Sequence, residues 1–164
     1  MSSSITRPAV LCDLDGVVWL SHQPIPGSVD AIARMRGAGH RVLFVTNNSA
    51  ARVEEQEAAL ARIGIPAEGD VLTSGMAAAL LMAPGERALV VGGPGIVQSL
   101  EWRGVACVSE DDVDQGAAVD AVVVGLQRSF DYDTLARAAR AVHHGARLIG
   151  TNDDATYPTP DGPI

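Results

Sequence analysis

The sequence predicts an α/β fold built on parallel strands. Short aliphatic runs recur at 10–12, 41–45, 88–91, 105–108, 118–124 and 147–149. Between them lie stretches whose apolar residues are spaced three and four apart, the period of a helix. Glycine, proline or asparagine marks nearly every junction. Alternation of strand and helix over a whole chain is the pattern of parallel sheets covered by helices.

In chain order, residues 10–12 read as a strand buried on both faces. Residues 17–20 form a short strand or hairpin arm, and 21–27 a turn-rich connection. Ser28 is a candidate N-cap for a helix up to Gly37, with Gly39 able to end it at positive φ. A second buried strand at 41–45 completes one right-handed crossover. Ser49 or Asn48 can cap the next helix, 52–63, which Gly64 closes. Weaker elements follow: a strand at 70–73, a helix capped by Ser74, a strand at 88–91, the turn Gly92-Gly93-Pro94-Gly95, a helix at 96–102 and a strand at 105–108. The acidic segment from Ser109 reads as solvated surface. The strand at 118–124 is strongly apolar. Asp131 or Asp133 caps a last helix, Gly145 ends it, and a final strand occupies 147–149.

Composition narrows the function classes. The 164 residues are 47% hydrophobic but only 4% aromatic, so the core must be aliphatic and alanine-rich. Twelve basic and twenty acidic residues give a net charge of -8, the opposite of a nucleic-acid footprint. No apolar run approaches the roughly eighteen residues of a membrane span. The first eight residues lack the apolar segment of a signal peptide, so the cytoplasm is the expected location. Cys12 and Cys107 sit in apolar runs and read as buried thiols rather than a bridge.

The chemistry concentrates at Cys12-Asp13-Leu14-Asp15-Gly16. Two aspartates one residue apart at a strand end repel each other unless a cation joins them. Magnesium accepts hard oxygen ligands of this kind. Gly16 permits a sharp turn and is expected to leave its N–H open to an anion. Parallel pairing of the first two long strands would bring Thr46-Asn47-Asn48-Ser49 to the same sheet edge. Asp13 would attack phosphorus as the nucleophile. Asp15 would protonate the leaving oxygen and then activate water. Magnesium would be held by Asp13 and the main-chain carbonyl of Asp15. Thr46, Asn47 and the Gly16 N–H would hold phosphoryl oxygens. Asn48, Gly92 and Gly93 are candidate substrate-facing residues. Asx-turn or capping roles compete for Thr46–Ser49, and a plain turn competes for the glycines.

These residues resemble the haloacid dehalogenase (HAD) superfamily. The first motif is Asp13-Leu14-Asp15-Gly16-Val17 and the second Thr46-Asn47-Asn48-Ser49. Further similarities are Gln23-Pro24-Ile25-Pro26-Gly27, Thr73-Ser74-Gly75, 122–126 and Leu148-Ile149-Gly150-Thr151-Asn152 with Asp154. They resemble subfamily IIA, the NagD-like, nitrophenyl, phosphoglycolate and glycerol-phosphate phosphatases. The resemblance implies a three-layer Rossmann-like HAD core, here in part, carrying an inserted α/β cap of the C2 type. It places core residues at 1–68, the cap at 69–161 and the start of a return to the core at 162–164. It implies a magnesium-dependent phosphomonoester hydrolase acting on a small phosphorylated metabolite through an aspartyl phosphate, and a homodimer through the cap or an exposed core edge. The family's third motif is a lysine and its fourth a Gly-Asp with further acids. Neither occurs here, and all twelve basic residues are arginine. The expectation is therefore the front part of an enzyme, with little activity by itself. The alternatives are a non-catalytic phosphate-binding or protein-interaction fragment and a phosphotransferase.

Overall fold

The computed structural model describes residues 8–156 and the backbone of 158, 159, 162 and 163. The expectations for residues 1–7 and for much of the tail lie outside the described residues. The chain forms two compact units. One takes in the residues up to Thr46, Val53–Leu72 and the chain from Asp154. The other takes in Asn47–Arg52 and Thr73–Asp153. The expected divisions were 68/69 and 161/162. In the structure the chain changes unit at 72/73 and 153/154, and the loop Asn47–Arg52 groups with the later residues.

The first unit begins with strand β1 (Val10–Asp13). A tight turn leads to a hairpin of β2 (Trp19–Leu20) and β3 (Gln23–Pro24). Ser21 and His22 at its tip have φ of 49° and 62°, the left-handed pair that a two-residue hairpin needs. Helix α1 (Ser28–Gly37) follows. Its N-cap is Gly27 at φ 85°, not Ser28. The Ser28 hydroxyl donates instead to the Val18 carbonyl at 2.8 Å. Strand β4 (Val42–Thr46), helix α2 (Val53–Arg62) and strand β5 (Val71–Thr73) come next. The sheet order is β1-β4-β5. β1 and β4 run parallel, with Cys12 opposite Phe44 and Asp13 opposite Val45. Among the described residues β1 is an edge strand of this sheet, and burial is one-sided: Leu11 of β1 is 67% exposed and Val45 of β4 38%. This corrects the expectation of strands buried on both faces. An apolar run records that a strand is to be covered, not which part of a protein covers it.

The second unit is a four-stranded parallel sheet between two helical layers. Its elements are helix α3 (Ser74–Ala79), strand β6 (Arg87–Val91), helix α4 (Pro94–Arg103), strand β7 (Ala106–Val108), helix α5 (Glu110–Asp114), strand β8 (Ala121–Val124), helix α6 (Tyr132–His143) and strand β9 (Arg147–Gly150). The order is β7-β6-β8-β9, with every pairing parallel. Successive residues of β8 point to opposite faces, as strand geometry requires. Ala121 and Val123 join Ala78, Met82, Ile96 and Leu100 in one core cluster. Val122 joins Leu89, Ala141 and Ala146 in the other. Fully burying one such aliphatic side chain contributes about 1.5–3 kcal/mol, so two alanine-rich layers hold this sheet without aromatic residues. Beyond Asp154, β10 (Pro158–Thr159) pairs antiparallel with β11 (Gly162–Pro163).

The acidic stretch is exposed, as expected, and forms a short helix, because the Ser109 hydroxyl accepts the Asp112 N–H at 3.1 Å and the carboxylates occupy the first turn, where the helix dipole favours them. Two local departures from the sequence reading have simple causes. Helix α4 starts inside the glycine-rich turn, with Gly93 as N-cap and Pro94 at the first helical position, where proline's missing N–H costs nothing. Helix α3 is capped by Thr73, not Ser74: the Thr73 hydroxyl accepts the Met76 N–H at 3.2 Å.

Candidate active site

Asp13 is the last residue of β1. Its carboxylate accepts the Leu14 N–H at 2.8 Å and is otherwise exposed. Thr46 ends β4, one residue past Val45, the partner of Asp13. The parallel register therefore brings Asp13 and Thr46 to the same end of the sheet, and Thr46 is buried there.

The turn after Asp13 winds around one carbonyl. Leu14 O accepts the N–H groups of Val17, Val18 and Trp19 at 3.3, 2.9 and 3.1 Å. Gly16 adopts φ 82°, which a residue with a Cβ rarely tolerates. Its N–H donates to the Trp19 carbonyl at 2.8 Å. This corrects the expected role of Gly16 as an open phosphate donor: the glycine shapes the turn, and its N–H is consumed in closing it.

Asp15 is half-buried, and the Trp19 indole N–H donates to its carboxylate at 3.1 Å. Burial raises the Asp15 carboxyl above the usual range, and Asp13 adds to the rise. The Trp19 hydrogen bond and the nearby His22 oppose it. Trp19 is 1% exposed, and His22 packs edge-on against it with ring centroids 4.8 Å apart. Trp19 is core, and it also orients the candidate acid/base. The signal was present as an indole four residues after an aspartate across a Gly turn.

The remaining candidates belong to the second unit. The Asn48 side-chain oxygen accepts the Ala50 N–H at 3.1 Å, an Asx-turn that closes the loop on itself. The Asn47 carbonyl accepts the Ser74 hydroxyl at 2.8 Å. Gly92 and Gly93, for which a plain turn competed with a substrate-facing role, are half-buried and packed against the chain's own atoms. A Cβ on Gly93 would meet the Ala50 carbonyl oxygen at 2.4 Å, and one on Gly92 would meet Ile96 Cδ1 at 2.5 Å. Cys12 and Cys107 are free and half-buried.

The register of β1 and β4 puts Asp13 and Thr46 at one end of an open parallel sheet, the end at which such sheets hold ligands. Residues 10–106 match the haloacid dehalogenase-like hydrolase family, and the chain belongs to it. It is 37% identical over 158 residues to D-glycerol 3-phosphate phosphatase of Mycobacterium tuberculosis, covering 93% of this chain and 43% of that protein. It is 36% identical over 158 residues to acid sugar phosphatase of Staphylococcus saprophyticus, covering 94% of this chain and 59% of that protein. A crystal structure of glycerol phosphate phosphatase from Mycobacterium tuberculosis in complex with magnesium superposes with a TM-score of 0.84 at 35% identity, covering 96% of this chain and 47% of that chain. The chain thus spans about half the length of the curated relatives it matches.

The donor set suits magnesium. It consists of hard oxygens on a short turn: an exposed carboxylate at Asp13 and the main-chain carbonyl of Asp15. Among the described residues no group of three or more acidic, histidine or cysteine side chains gathers to hold a metal. Two protein ligands, with water and substrate oxygens, agree with the ordinary habit of that ion. Among the described residues no helix is long and apolar enough to cross a membrane.

Proposed function

We propose that the protein to which these residues belong is a magnesium-dependent phosphomonoester hydrolase, acting on a small phosphorylated polyol or sugar. The observation that carries the reading is the register of β1 and β4, which sets Asp13 one residue short of Thr46 at a common sheet edge. The glycerol-phosphate and sugar phosphatases among the relatives support the substrate class.

In this reading an Asp13 carboxylate oxygen forms a bond to phosphorus as the bond from phosphorus to the leaving oxygen breaks. Asp15, held above the usual carboxylate range by burial, gives its proton to that leaving oxygen. Water then attacks phosphorus of the aspartyl phosphate, Asp15 takes the proton of that water, and Asp13 is released. The Trp19 indole fixes the Asp15 carboxylate during both steps. The Thr46 hydroxyl and Asn47, next in the chain, hold phosphoryl oxygens. A magnesium ion on Asp13 and the Asp15 carbonyl would offset the repulsion between carboxylate and phosphate dianion.

The experiment has two parts. Phosphate release from p-nitrophenyl phosphate and from glycerol phosphate should require magnesium in the whole protein and vanish in Asp13→Asn. On the 164-residue chain, fluorine NMR should detect beryllofluoride bound at Asp13 with magnesium and not in Asp13→Asn. Magnesium-independent release, or unchanged release in Asp13→Asn, would overturn the proposal. The absence of lysine from these residues favours a second reading for the chain by itself, in which it binds phosphate without turning it over.

A further inference from the structure

Open parallel sheets hold ligands in a crevice at the strand C-termini, where the strand order reverses. In the second unit that switch point lies between β6 and β8, because β7 lies outside β6 and β9 outside β8. The crevice is filled by the chain's own loop, Asn47–Arg52.

The fit is close on every side. A Cβ on Gly95, at the start of α4, would lie 2.0 Å from the Ala51 carbonyl oxygen. One on Gly93 would lie 2.6 Å from Ala50 Cα. One on Gly125, just past β8, would lie 2.7 Å from Ser49 Oγ and 2.8 Å from Thr151 Oγ1. Glycine at these three places is a space requirement of the loop. Three hydrogen bonds then fix the loop along its length. The Ser74 hydroxyl donates to the Asn47 carbonyl at 2.8 Å. The Ser49 and Thr151 hydroxyls share a hydrogen bond of 2.8 Å. The Gly95 N–H donates to the Ala50 carbonyl at 3.1 Å. Ser49 is buried in this seat.

We infer that Ser49, Ser74 and Thr151 are positioning residues for phosphate binding: with Gly93, Gly95 and Gly125 they seat the second-motif loop in the sheet's own ligand crevice and so fix the backbone at Asn47. The inference rests on the phosphatase reading for what Asn47 does, but not for how the loop is held. The second unit thus carries the loop that follows Thr46 in the chain.

The test uses hydrogen exchange and phosphate binding on the 164-residue protein. In Thr151→Val and in Ser74→Ala, amides of 47–52 should exchange about two- to tenfold faster, the range that one neutral hydrogen bond commands. Amides of β6 and β8 should keep their protection. Thr151→Ser should restore the loop. The dissociation constant for inorganic phosphate with magnesium should rise by a similar factor in the first two variants and return in the third. Unchanged exchange at 47–52, or acceleration spread evenly over the whole unit with no excess in the loop, would overturn the inference. Loop exchange that responds as expected while phosphate affinity stays the same would overturn the link to phosphate. If the unsubstituted protein binds no phosphate although its loop is protected, the fault lies with the functional reading and not with the seat.

Discussion

Replacing Gly95 by alanine should destabilise the protein, although alanine is the better helix former. Gly95 is in the first turn of α4, where Gly→Ala would ordinarily gain up to about 1 kcal/mol. Its new Cβ would meet the Ala51 carbonyl oxygen at 2.0 Å and the Ser49 carbonyl oxygen at 2.7 Å. Carbon and carbonyl oxygen pack at roughly 3.3 Å or more, so the loop must retreat by about 1 Å. Overpacking of this order costs about 1–3 kcal/mol. The retreat also lengthens the Gly95 N–H to Ala50 carbonyl bond, now 3.1 Å, which is worth about 1 kcal/mol. The net expectation is a loss of about 1–3 kcal/mol. Gly37→Ala is the matched control: it lies in α1 with nothing within 4 Å of its Cβ and should be neutral or stabilising by up to about 1 kcal/mol. Urea unfolding of both variants, followed by circular dichroism, gives the two numbers on one scale. A Gly95→Ala protein as stable as Gly37→Ala would refute the reasoning that the seat is tight.

Two further expectations concern titration. Hydrogen bonds from Thr134 hold the Asp131 carboxyl below its ordinary value of 3.8. A depressed folded value means that its contribution is complete above the ordinary carboxylate range and lost as pH falls through the folded value. Asp131→Asn keeps an oxygen to accept the Thr134 N–H, now 2.8 Å away, so its melting temperature should fall less steeply on acidification below pH ~4; an identical acid profile would contradict the assignment. Burial, with the Glu101 carboxylate second, pushes the Cys107 thiol above its ordinary 9.0. In a Cys12→Ala background, disulfide reagents should label Cys107 slowly at neutral pH and rapidly in urea; equal rates would contradict it.

The strand sequence was legible because aliphatic runs and glycine punctuation reflect burial and turn geometry directly. The Asp13 and Thr46 placement followed from one parallel crossover, since that topology leaves few ways to arrange two strands. Three things were not legible, each for a physical reason. The Gly16 N–H looked free because a sequence does not show that the chain returns three residues later to present the Trp19 carbonyl. Gly92 and Gly93 stayed open between a plain turn and a substrate-facing role because close approach to a ligand and close approach to one's own backbone demand the same missing Cβ. Leu11 looked buried because hydrophobicity records that a surface is to be covered but not by what.

The path of the chain between its two units has a practical corollary. It leaves the first unit after Thr46, returns at Val53, leaves again after Leu72 and returns at Asp154. A gene split at 52/53 or at 72/73 would part the six-residue finger from its socket, whereas one at 46/47 or at 153/154 would keep the two in one piece. To study either half by itself, an engineer would have to bridge Thr46 to Val53 in one piece and graft 47–52 onto the other. Protease nicking within 47–52 should accordingly be slow until the socket itself melts.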